Sequence, residues 1–88
     1  MKTAEKLHLG ILMGSMLTKY GIPKTKFAEM VDKSPQELST FINGKKELNT
    51  DTLMQYLTKM PVLMMVEYLT AILVWSVEHN QHVNNNDD

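Results

Sequence analysis

The sequence predicts an all-α domain of five short helices. Three observations carry that prediction. Leu9, Met13, Met16, Leu17 and Tyr20 fall on one helical stripe near the start of the chain. A Ser34-Pro35-Gln36-Glu37 run followed by Asn43-Gly44 has both the start and the stop signal of a helix. The stretch VLMMVEYLTAILVWSV, from position 62, is apolar at helical length.

The elements follow in order. Residues 1–6 are polar. Leu7 to Tyr20 is expected as the first helix, and Ile11 and Leu12 widen its apolar stripe. Gly10 and Gly14 weaken it by roughly 1 kcal/mol each relative to Ala, and leave room for a neighbouring helix to approach closely. Lys2, Lys6 and the run LHLGILMGSML have a faint likeness to a secretory leader. His8 and Gly10 break that run and no small-x-small site follows, so it is read as domain sequence. Gly21 closes the helix.

The second helix begins after Ile22-Pro23 and turns Phe27, Ala28 and Val31 inward. The third, Pro35 to Asn43, turns Leu38 and Phe41 inward. Its Ser34 hydroxyl can accept from the N–H of Glu37, and Glu37 can reach back to the N–H of Ser34. Pro35 suits the first helical position, where an N–H is not needed. Asn49-Thr50-Asp51 supplies caps for a fourth helix, Thr52 to Lys59, with Leu53, Tyr56 and Leu57 inward. Met60-Pro61 ends it.

The last helix is expected over residues 62–79. One stripe carries Val62, Val66, Leu69, Leu73 and Val77, a second Met64, Tyr68, Ala71 and Trp75. A helix apolar on both faces needs two partners. The first stripe is expected to close the core. The second, rich in Met and aromatics, is expected to form a two-fold dimer interface of Met64, Tyr68, Ala71 and Trp75. A membrane span is the rival reading, but the stretch is short and Glu67 lies inside it. Residues 80–88 are expected to be a disordered, acidic tail. The organisation is thus one domain, residues 1–79, and a tail.

Composition narrows the function. The chain has no Cys, so thiolate chemistry and disulfides are excluded. Net charge is −1, but it is unevenly spread: residues 19–46 carry +3 and residues 47–88 carry −5. Positive charge therefore concentrates on helices two and three. All nine basic residues are Lys, so bidentate Arg contacts to guanine are unavailable. No carboxylate pair, Ser/His pair or phosphate-cradling Gly loop occurs at a useful spacing, and no catalytic residue is expected. His79 and His82 are three apart but lack a third strong ligand, so no metal site and no cofactor are expected.

Gly21 to Gly44 resembles, without a gap, the helix-turn-helix of the phage lambda-repressor and Cro family, within the xenobiotic-response-element class of regulators. Gly21, Ile22, Lys24, Phe27, Ala28, Val31, Ser34, Leu38, Phe41, Asn43, Gly44 and Lys45 carry the likeness, and Leu48, Thr52, Leu53 and Leu57 extend it. It covers about two thirds of the chain. There are departures: Pro23 stands where a capping Ser or Thr is usual, Lys24 replaces Gln, and Pro35 has no donor. The resemblance implies a five-helix, lambda-repressor-like DNA-binding domain with the helix-turn-helix at 22–43. It implies base reading by Pro35, Gln36, Ser39 and Thr40, and phosphate binding by Lys24, Lys26, Asn43, Lys45 and Lys46. Gln can bond adenine bidentately, and Thr can touch a thymine methyl. The implied protein is a cytoplasmic homodimeric transcriptional regulator, such as a phage or mobile-element repressor, on palindromic double-stranded DNA. The alternative is a protein-binding adaptor that uses the apolar last helix.

Overall fold

The computed structural model describes residues 6–87, with side chains described as far as His79. Among the described residues there are five α-helices and no strand. They are α1 Leu9–Tyr20, α2 Lys24–Met30, α3 Pro35–Ile42, α4 Thr50–Lys59 and α5 Val62–Asp87.

Local signals account for most boundaries. α1 stops at Gly21, whose φ of 67° is the left-handed value that Gly tolerates. α2 starts at Pro23 without a side-chain cap, as its sequence implies. Between α2 and α3, Asp32 takes a φ of 60°, the one non-Gly residue with positive φ among those described. The third helix has the full capping box: Glu37 N–H donates to Ser34 Oγ at 3.1 Å, and Ser34 N–H donates to Glu37 Oε1 at 3.2 Å. α4 begins two residues earlier than expected, because the Asn49 side chain accepts from the N–H of Thr52 at 2.8 Å and caps it. α5 continues past the expected end at residue 79, through Asp87; Asp88 lies outside the described residues.

The core is built from one side of each helix. Met13, Leu17, Phe27, Val31, Leu38, Phe41 and Tyr56 are all essentially inaccessible. The Tyr56 ring stands edge-on to Phe27 and to Phe41, with centroids 6.0 and 5.7 Å apart, and so holds α4 against both α2 and α3. Ile42 is buried as well, a core position beyond those expected. α1 meets α3 through its glycines. A Cβ on Gly10 would lie 1.7 Å from the carbonyl oxygen of Phe41, and one on Gly14 would lie 3.4 Å from Cβ of Ile42.

α5 reverses the expected assignment of faces. Met64 and Tyr68, expected in a dimer interface, have no exposed surface and belong to the core of the single chain. Ala71 and Trp75 are half-buried on the same side. The stripe expected to close the core points outward instead: Val62, Val66, Leu73 and Val77 are each at least half exposed, and Leu69 is 38% exposed. The reason is polar anchoring. Tyr68 Oη donates to the carbonyl oxygen of Leu9 at 2.7 Å, which turns its side of α5 onto α1. Glu67 receives the Tyr20 hydroxyl at 2.8 Å and the ammonium of Lys19. The longer Met64 and Tyr68 side chains span the gap to α1, where a Val would leave a void.

Candidate nucleic-acid interface

Pro35, Gln36 and Glu37 are exposed in the first turn of α3, while Ser39 and Thr40 are half-buried one turn on. The capping box fixes the orientation of this turn. The Gln36 side chain makes no hydrogen bond to the described residues, so its amide is available to an outside partner in both donor and acceptor senses. Thr40 donates its hydroxyl proton to the carbonyl oxygen of Gln36 at 2.9 Å. That leaves its lone pairs and its methyl group for a ligand. Asn43 Nδ2 donates to Ser39 Oγ at 3.2 Å, which ties these two side chains together.

The expected phosphate-binding cations sit on two segments around α3. Lys24 and Lys26 are exposed at the start of α2, and Lys45 and Lys46 are exposed in the loop after α3. None of these four makes an ion pair with the described residues. Lys6 and Lys19 are the lysines that do, with Glu47 and Glu67. The loop shape is set by Gly44, whose φ is 78° and whose Cβ, if present, would meet Ile11 Cδ1 at 2.9 Å.

A groove of about 520 Å³ runs between α3 and the start of α4. Lys33, Gln36, Glu37, Thr40, Lys46 and Thr52 line it. Lys33 is the cation of this groove that sequence reasoning did not single out; its one signal was its place immediately before the Ser34 cap. The bonds from the Ser34 backbone and hydroxyl hold the Glu37 carboxyl below its ordinary range, and Lys33 and Lys46 add to this. Glu37 is thus ionised at neutral pH and occupied by the cap. It places one negative charge among the cations, and repels a phosphate from that part of the turn.

Tyr56 forms part of the groove floor. It is fully buried, yet its hydroxyl makes no hydrogen bond to the described residues. Burial, with a smaller effect of Glu37, pushes its acidity to higher pH, so the group stays neutral.

At the other end of the molecule the Trp75 and His79 rings stack at 3.8 Å between centroids, and His79 Nδ1 lies 2.8 Å from the Trp75 carbonyl oxygen. Trp75 lines a shallow depression together with His8, Ile11 and Leu12 of the α1 region.

In comparison with known proteins, the chain matches no family model, no curated protein and no solved structure.

Proposed function

We propose that the protein is a sequence-specific double-stranded DNA-binding regulator of the helix-turn-helix class, with α3 as the helix that enters the major groove. The observation that carries this reading is the pairing of an exposed, unbonded Gln36 with lysines on both flanks of α3 that lack ion-pair partners. Gln36 reads a base edge, adenine being the best match, and Thr40 offers its methyl to thymine. Lys24, Lys26, Lys33, Lys45 and Lys46 neutralise phosphates and set the register, which base contacts alone do not do. Ser39 and Asn43, joined to one another, serve as a supporting pair behind the reading residues. Pro35 makes an apolar contact only. Two copies give two such helices, and a palindromic operator with half-sites about one helical turn apart.

The exposed apolar face of α5 supports a second reading, a protein-binding adaptor on the same scaffold. Salt separates the two. Contacts from Lys24, Lys45 and Lys46 alone, in each of two copies, cover six phosphates, so log affinity for duplex DNA should fall against log salt with a slope of about −5 or steeper. Binding of a protein through α5 should be nearly flat in salt. A flat dependence for DNA, or no DNA affinity at low salt, removes the first reading.

A further inference from the structure

The outward face of α5 is the largest feature of the fold that DNA reading leaves unused. We infer that it is the surface on which a second copy of this chain docks, through Val62, Val66, Leu69, Leu73 and Val77. At 100° per residue, these five and their exposed neighbours Leu63, Thr70 and Val74 fill an arc of about 140° of the helix. Between Val62 and Val77, Thr70 is the one polar residue in that arc. An arc this wide is what a helix presents to a packed core.

Three further observations select a second copy. First, positions 62, 66, 69 and 73 are spaced four, three and four apart, the alternation of a helix that packs lengthwise on another helix. Second, the arc from Val62 to Val77 is uncharged, so it meets its own image without repulsion. A partner with a charged contact face would leave that charge unpaired and desolvated. Third, the area is adequate. At their fractional exposures, which run from 38% for Leu69 to 74% for Leu63, the seven apolar side chains of the arc present on the order of 600 Å². Two copies would then bury roughly 1,200 Å² in all, the lower limit of a stable interface.

A lipid bilayer is the competing occupant, since Val62–His79 is long and apolar enough to cross one, with a mean hydropathy of 1.4. The other side of the helix argues against it. To span a bilayer, α5 would have to withdraw Met64 and Tyr68 from the core and Glu67 from Lys19 and Tyr20. To lie flat on an anionic surface it would need cations beside the arc, and α5 contains no Lys or Arg. α1 packs against both α3 and α5, so a seam on the outer side of α5 leaves α3 open.

The test uses the full chain without DNA, so its result is independent of whether α3 reads bases. Sedimentation at micromolar concentration should give twice the 10.1 kDa chain mass. The Val66→Glu/Leu73→Glu variant should sediment as a monomer with unchanged helicity. Because the chain has no Cys, a second arm avoids any loss of folding. Leu69→Cys should form a disulfide-linked dimer under mild oxidation, and Thr58→Cys on α4 should not. A monomeric wild type overturns the proposal, as does a double variant that stays dimeric or equal cross-linking at both positions. Flotation of the wild type with phosphatidylcholine or phosphatidylserine vesicles, abolished in the double variant, assigns the face to lipid and also overturns it.

Discussion

Gly10 and Phe41 are in contact through backbone: the hydrogen that stands for a side chain on Gly10 faces the carbonyl oxygen of Phe41, where a Cβ would come within 1.7 Å. This contact sets how close α1 lies to α3, and so how the first turn of α3 is presented. Gly10→Ala should force the helices apart and destabilise the fold by about 3 kcal/mol, against a helix-propensity gain of about 1 kcal/mol. Gly14→Ala meets Ile42 alone, its Cβ at 3.4 Å and its carbonyl oxygen at 3.7 Å, both ordinary contact distances. There the propensity gain should dominate, and stability should hold or rise by up to about 1 kcal/mol. Denaturant titration of the two variants checks the contrast; equal effects would contradict the packing.

Two buried tyrosines should behave differently. Tyr68 donates to the carbonyl oxygen of Leu9 at 2.7 Å, whereas the Tyr56 hydroxyl has no partner among the described residues. Tyr68→Phe should cost about 1 kcal/mol. Tyr56→Phe removes an unsatisfied group and keeps both ring contacts, so it should be neutral or stabilising. Thermal unfolding of the pair measures this. A loss of more than about 1 kcal/mol in Tyr56→Phe would mean that its hydroxyl is satisfied.

Asp32 occupies a left-handed conformation with φ of 60° in the turn before α3. L residues other than Gly adopt it at a cost of roughly 1–2 kcal/mol, less for Asp, whose short polar side chain bonds locally. Asp32→Gly should therefore stabilise by about 0.5–1 kcal/mol, and Asp32→Val should destabilise. A destabilised Gly variant would show that the Asp32 carboxylate has a role of its own.

Acid should weaken the fold through two carboxylates. Hydrogen bonds from Lys19 and Tyr20 hold Glu67 below its ordinary value of 4.5, and Ser34 does the same for Glu37. Both groups bind protons more weakly when folded than when unfolded. Their contributions are complete above the ordinary carboxylate range and disappear as pH falls through the lowered folded values. The melting temperature should drop on acidification below about pH 4.5. Glu67→Gln/Glu37→Gln should melt lower at neutral pH and show a flatter acid limb. An unchanged acid limb in the double variant would place the sensitivity elsewhere.

The α2–α3 unit was legible because its signals are local. The Ser34/Glu37 box, Pro35 and Gly44 each act within a turn, and Leu38 and Phe41 are buried at the expected register. α5 was misread because both of its stripes are apolar, and local hydrophobicity cannot rank them. The choice is made by two bonds between residues far apart in sequence, Tyr68 to Leu9 and Glu67 to Tyr20. A clue was present in chain chemistry: Tyr68 and Met64 are the long side chains, able to reach a neighbouring helix, and the Tyr68 hydroxyl can bond a backbone carbonyl there. Lys33 was not singled out because it lies in the turn between α2 and α3, next to the positive φ of Asp32, where no helical periodicity marks a face.

The central claim is that α3 reads duplex DNA. Selection of bound duplexes from a random library, run with the wild type and with Gln36→Ala/Thr40→Ala, tests it most directly. The wild type should enrich a palindromic motif, with Lys45→Ala weakening all duplexes alike and the double variant losing the motif while keeping non-specific affinity. A folded wild type that enriches no motif, or a motif unchanged in the double variant, would contradict the claim.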